Sequence, residues 1–139
     1  MMKVNENSSM TGLNESVGRE ITPVVRTLQQ GLGKKLVAVV LFGSRARGDA
    51  REESDWDMLV IAEDLPDRQM ERYRKTKEIL PQKWRGRISI LAKTPVEFEA
   101  VLPSLYLEIA LDGLILYDPH PLTWRRTVEH PSERGQSPS

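Results

Sequence analysis

Leu41-Phe42-Gly43-Ser44-Arg45-Ala46-Arg47-Gly48-Asp49-Ala50-Arg51-Glu52-Glu53-Ser54-Asp55-Trp56-Asp57-Met58-Leu59-Val60 is the run from which the rest of the chain can be read. An apolar stretch, Leu36 to Phe42, leads into Gly43-Ser44, and a polar turn returns to a second apolar stretch, Met58 to Ala62. Near-continuous apolar runs of this length predict strands buried on both faces. Strand side chains alternate between faces, so Asp55 and Asp57 are expected to share one, roughly 7 Å apart at Cα. Leu59 and Ile61 follow on the same face. Two carboxylates this close stay ionised when a cation or a cluster of donors lies between them.

Gly43-Ser44 has the chemistry of a phosphate cradle. Glycine lets the backbone approach an oxyanion, the serine hydroxyl donates, and a helix starting here would direct free N–H groups at the anion. Arg45 and Arg47 are candidates for bidentate contact with a triphosphate. The competing assignment for each is an ion pair with Glu52 or Glu53. A phosphate cradle beside a carboxylate pair points to metal-assisted phosphoryl or nucleotidyl transfer. Other phosphate motifs fit less well. Gly43 and Gly48 have the spacing of a Walker loop, but Asp49-Ala50 stands where Lys and Ser or Thr are needed, and Gly31-x-Gly33 lacks the third glycine of a dinucleotide fingerprint.

The pattern Gly43-Ser44, a spacer, then Ser54-Asp55-x-Asp57 before an apolar strand resembles the DNA polymerase β-like nucleotidyltransferase superfamily, and Leu41 to Gly48 is similar to its minimal prokaryotic members. The likeness runs over about Leu36 to Asp118. It implies a nucleotidyltransferase fold with the two motif strands adjacent. It also implies Mg²⁺, or Mn²⁺, held by Asp55 and Asp57, and a nucleoside triphosphate as substrate, bound by Gly43, Ser44, Arg45 and Arg47. Oxygen-only ligands agree with that choice of metal. Minimal members often work beside a small helical HEPN-family protein, as an antitoxin or a modifier of it. The implied activity is transfer of a nucleoside monophosphate to a hydroxyl, with a catalytically weakened module that docks a HEPN-type partner as the alternative. Active members carry a third carboxylate on a following strand. Here the matching position is Ser89, which cannot serve as a base at neutral pH; Glu97, Glu99 and Asp112 are the nearby acids that would substitute.

The whole chain sets bounds around this reading. Its 139 residues with zero formal net charge predict one domain with a modest core, and direct nucleic-acid binding is not suggested by charge. It has no cysteine and two histidines, His120 and His130, which excludes disulfides and thiolate metal sites. No stretch has the length of a membrane span and the start lacks the apolar core of a signal peptide, so a cytoplasmic location without membrane contact is expected.

Strands alternating with helices predict an α/β (α+β) domain, a small mixed sheet with helices packed against it. Residues 1–12 are expected to be a disordered tail, 13–120 the domain, and 121–139 a short helix and loose tail. Thr22-Pro23 reads as a helix start, with an earlier turn from Asn14 to Ile21 as a possible kinked extension. A helix over about 68–80 is expected with Met70, Tyr73 and Leu80 on its apolar side. From Asp67 to Arg87 eight basic residues face three acidic ones, a solvated face or a patch for an acidic partner. Trp84 lies among these cations, to stack on a base or to pack beneath their stems. Ile88 to Ala92 and Leu114 to Tyr117 read as strands, and Thr94-Pro95-Val96-Glu97 as a capped helix start.

Overall fold

The computed structural model describes residues 3–4, 12–100, 109 and 111–120. Its elements are β1 (Lys3–Val4), α1 (Gly12–Leu32), β2 (Leu36–Phe42), α2 (Gly43–Arg47), β3 (Trp56–Ala62), α3 (Gln69–Ile79), β4 (Ile88–Lys93), α4 (Pro95–Glu99) and β5 (Leu114–Tyr117). The expected strands are present within a residue or two. They form one mixed sheet in the order β1-β5-β2-β3-β4, with β2 antiparallel to both β3 and β5, and β4 parallel to β3. The two motif strands are therefore neighbours at the centre. Among the described residues no helix is long and apolar enough to cross a membrane.

Both faces of that centre are buried, which is why β2 and β3 read as continuous apolar runs. On one face Val39, Leu41, Trp56, Met58 and Val60 pack against α1 and against Leu80 and Trp84. On the other, Val40, Leu59 and Ile61 pack against Phe98 and Ile109, with Phe42 and Leu91 partly buried beside them. A register shift between Leu36 and Ala38 adjusts the start of β2 to this alternation.

Two expectations are corrected here. Helix α1 runs unbroken from Gly12, with Pro23 inside it. The apolar stripe explains this: Ile21, Val24, Val25, Leu28 and Leu32 are buried with Val17 packed beside them. At about 1.5–3 kcal/mol per buried side chain, the stripe outweighs the roughly 3 kcal/mol cost of an interior proline. In α3 the face turned to the sheet is Arg72 and Thr76, continued by Leu80, while Met70 and Tyr73 are exposed. Within the tail expected to be disordered, Lys3–Val4 pairs in parallel with Leu114 and Ile115, two short extended segments completing an edge; the other residues before Gly12, and the helix and tail expected after residue 120, lie outside the described residues.

Candidate active site at the end of the central strands

The ends of β2, β3 and β4 bring the motif residues together. Phe42 is the register partner of Asp57 across the antiparallel pair, and Asp57 is the partner of Ser89 across the parallel pair. Partners in register share a face, so Phe42, Asp57 and Ser89 form a row across three strands. This is the face of Leu59 and Ile61, as alternation predicts. Asp57 is half-buried and Ser89 exposed, which places the carboxylate where core gives way to solvent.

Gly43 turns the chain beside that row. Its φ is +74°, and a Cβ built on it would lie 2.4 Å from Asp57 Oδ2. Only glycine admits both this backbone and this carboxylate. The next residues make the single turn of α2, closed by Gly48 at φ +85°, whose N–H donates to the Ser44 carbonyl at 3.0 Å. Ala46 is buried and Ser44 is half-exposed, so the turn is anchored from below with its serine at the rim.

Asp55 sits differently from the expectation. The β3 ladder starts one residue later, where Trp56 N–H donates to the Arg87 carbonyl at 2.9 Å, so strand alternation alone does not put Asp55 on the face of Asp57. The loop before it has its own order: Arg51 N–H donates to Ser54 Oγ at 2.8 Å, and Ser54 N–H to the Arg51 carbonyl at 3.0 Å. Arg45 clasps this loop. Its Nη2 donates to the carbonyls of Ser54 at 2.9 Å and Glu52 at 3.0 Å, its Nε to Ser54 at 3.3 Å, and its guanidinium lies 4.7 Å from the Trp56 ring centroid. Arg47 is exposed and pairs with Asp49 at 3.3 Å. Arg45 thus engages the Glu52 and Ser54 main chain and ties α2 to the segment that carries both aspartates.

Trp56 stands between those aspartates and faces the opposite core, where it meets Trp84 edge to face at 5.6 Å. Trp84 is buried, with the Arg87 guanidinium 4.8 Å from its ring, so it packs beneath a basic stem and offers no face to a base.

Glu97 is removed from the list of candidate bases. It closes a capping box with Thr94 at the start of α4 and takes both arms of Arg72, at 2.6 and 2.9 Å. The Arg72 hydrogen bonds, then the Thr94 backbone N–H, lower its pKa from 4.5 to about 2, so it is a weak proton acceptor. Arg72 is itself buried and also donates to the carbonyls of Ala92, at 3.2 Å, and Pro66. The sequence signal for this missed pair is the spacing Arg72, Thr76, Leu80, one helical face in steps of four. Asp112 is half-buried in a helical turn just before β5.

Among the described residues no three His, Cys, Asp or Glu side chains gather in one place. A cation held by Asp57 together with Asp55 would have hard carboxylate ligands, with substrate and water completing its shell, a donor set that fits Mg²⁺.

Comparison with known proteins agrees with this fold. The model of the polymerase beta nucleotidyltransferase family matches residues 24–118. Two Methanocaldococcus jannaschii proteins, each named as a candidate protein adenylyltransferase, are similar over the central part. One is 46% identical over 52 residues, 37% of this chain and 35% of its own length. The other is 39% identical over 51 residues, 34% of this chain and 52% of its own. The chain thus spans about a third and about half the length of the curated relatives it matches. Among solved structures, a toxin–antitoxin crystal structure with AMP-PNP superposes with a TM-score of 0.60 at 18% identity, over 81% of this chain and 86% of that one. A Shewanella oneidensis complex of a tri-AMPylated HEPN toxin with an MNT antitoxin gives 0.54 at 16% identity, over 86% and 87%. At these identities the likeness is one of fold.

Proposed function

The chain belongs to the polymerase beta nucleotidyltransferase family, and from that premise we propose that it moves a nucleoside monophosphate from a nucleoside triphosphate to a hydroxyl on a partner protein. The observation that carries this reading is the packing of the Gly43 backbone against the Asp57 carboxylate, a glycine turn and a hard carboxylate meeting at one strand end. Gly43 and Ser44 hold phosphate oxygens, and Arg47, at the exposed end of α2, reaches the outer phosphates. Arg45 acts through the loop: by holding the Ser54 and Glu52 carbonyls it fixes Asp55 and Asp57 relative to the cradle. Asp55 and Asp57 would hold Mg²⁺, which when bound neutralises phosphate charge as the attacking oxygen bonds to the α-phosphorus and pyrophosphate leaves.

The hydroxyl proton needs an acceptor. Ser89, in register with Asp57, does not supply one, and Glu97 is engaged by Arg72. Transfer is therefore slow, draws on another acid such as Asp112, or depends on a group that the partner brings. The names of the similar proteins, protein adenylyltransferases and an antitoxin seated on an AMPylated HEPN toxin, support ATP as donor and a HEPN-type protein as acceptor. Ser89 equally favours a second reading, a catalytically weakened module that binds nucleotide and docks such a partner.

The test is incubation with α-³²P-labelled ATP, Mg²⁺ and a small helical HEPN-family protein. Label on the partner that disappears in Asp57→Asn supports transfer. Stable complex formation with nucleotide bound and no label at any time supports the docking module instead.

A further inference from the structure

Strand β4 is the edge of the sheet, and among the described residues no strand pairs with its outer side. The direction of its backbone groups can be worked out. Trp56 N–H donates to the Arg87 carbonyl, so in a parallel ladder Arg87, Ser89 and Leu91 turn their polar groups toward β3 and Ile88, Ile90 and Ala92 turn theirs outward. The Arg72 guanidinium agrees with this phase, reaching the Ala92 carbonyl from outside. Arg72 thus closes the edge at Ala92, while Ile88 and Ile90 keep an open edge of the kind that another strand extends.

A groove of about 340 Å³ runs beside this edge, between α3 and β4, lined by Met70, Tyr73, Thr76, Ile90 and Ala92 among others. Met70 is 78% exposed and Tyr73 49%. Arg72 also lines the groove, but Glu97 neutralises it and Asp67 acts on it as well; the charges around the rest of the groove and edge are cationic. The Lys77 ammonium lies 4.8 Å from the Tyr73 ring centroid, and at about 100° per residue Glu71 and Glu78 turn away from this side of α3. From Ile79 to Val96, through the whole of β4 and the loop before it, the charged residues are Lys83, Arg85, Arg87 and Lys93, with no acid.

We propose that the outer edge of β4 docks an extended acidic segment of a partner protein as an added strand. Its main chain pairs with Ile88 and Ile90, an apolar side chain fills the groove under Met70 and Tyr73, and its carboxylates meet the surrounding cations. This is the usual division of strand addition, affinity from the backbone and selectivity from alternate side chains. The alternation has a consequence that rests on the proposed transfer. Side chains flanking the groove-filling residue point to the opposite face, the face of Ser89 and Asp57, two strand spacings or roughly 10 Å from Asp57. An acceptor hydroxyl is thereby expected next in sequence to the apolar anchor, on a side chain long enough to reach, such as tyrosine.

The docking is tested without nucleotide or metal, so its outcome is separate from that of the transfer. A fluorescein-labelled Glu-Tyr-Val-Tyr-Glu peptide, whose valine and glutamates share one face, and its Lys-Tyr-Val-Tyr-Lys counterpart are titrated by anisotropy, with amide exchange followed by NMR. The acidic peptide should bind at least tenfold more tightly and protect the amides of Ile88 and Ile90. It should lose at least tenfold in affinity to M70E/K77E, where Met70 is exposed and Lys77 half-exposed, so that neither change disturbs the core. Equal affinity for both peptides, no binding of either, or protection elsewhere would overturn the proposal. So would Ile88 and Ile90 amides already protected in the free protein, by residues 121–139 or by a second copy.

Discussion

The Gly43 backbone and the Asp57 carboxylate occupy space that admits no atom between them: a Cβ on Gly43 would stand 2.4 Å from Asp57 Oδ2. Gly43→Ala should therefore act twice. The φ of +74° costs a side-chain-bearing residue about 1–2 kcal/mol, read as a fall in the urea midpoint. The displaced carboxylate should abolish Mg²⁺-dependent nucleotide binding, which calorimetry measures. A variant with normal affinity would show that the close approach has no functional purpose.

Arg45 separates two roles by its contacts. If it positions the aspartate loop, its planar fork on two carbonyls and its stacking on Trp56 matter, and lysine does not replace them. Arg45→Lys should then weaken Mn²⁺ binding about tenfold, followed by electron paramagnetic resonance, while metal-free nucleotide affinity changes less than twofold. The reverse pattern would make Arg45 a triphosphate ligand.

Much of this site was legible in the sequence, and the misses have identifiable causes. Alternation along Trp56–Ala62 placed Asp57 with Leu59 and Ile61, and the family resemblance singled out Ser89, which is in register with Asp57. Asp55 escaped the same reasoning because the ladder begins at Trp56, and strand periodicity says nothing of a residue held by a turn. Arg45 to Ser54 is a contact between the short helix α2 and a loop, which composition cannot announce. Pro23 obscured the continuity of α1, whose first half was expected only as a possible kinked extension, since a local signal for a helix start was stronger than the distributed stripe that overrode it. Arg72 was counted as a surface cation because arginine usually is one.

The Arg72–Glu97 pair gives a pH dependence with a definite sign. The Glu97 pKa falls from 4.5 to about 2 on folding, so its contribution is complete above about pH 4.5 and is lost as pH falls toward 2. The Glu97 side chain is 38% exposed, so solvent screening keeps this contribution small. Glu97→Gln should flatten the part of the acid-stability curve between those pH values. Arg72→Met, which strips donors from the Ala92 and Pro66 carbonyls as well, should cost about 3 kcal/mol at neutral pH. An unchanged denaturation midpoint in Arg72→Met would deny the pair any structural role.

Ser89 tests the missing base. A carboxylate there would face Asp57 in register. Ser89→Asp should tighten Mn²⁺ binding in the presence of a non-hydrolysable triphosphate, and raise label transfer to an acceptor by roughly 10²–10⁴-fold if general-base catalysis is what wild type lacks. Ordinary turnover in wild type, with no gain in metal affinity for the variant, would mean that the base lies elsewhere, with Asp112 the next residue to replace.

The proposed chemistry depends on one corner, where Gly43, with Ser44 next to it, meets Asp57 and Asp55 precedes that aspartate by two residues. Isothermal titration calorimetry of AMP-PNP with and without Mg²⁺ addresses it most directly, comparing wild type with the Asp55→Asn/Asp57→Asn double variant at matched thermal stability. The account predicts that Mg²⁺ tightens binding at least tenfold in wild type and leaves the double variant unaffected. An identical Mg²⁺ enhancement in both proteins would contradict it.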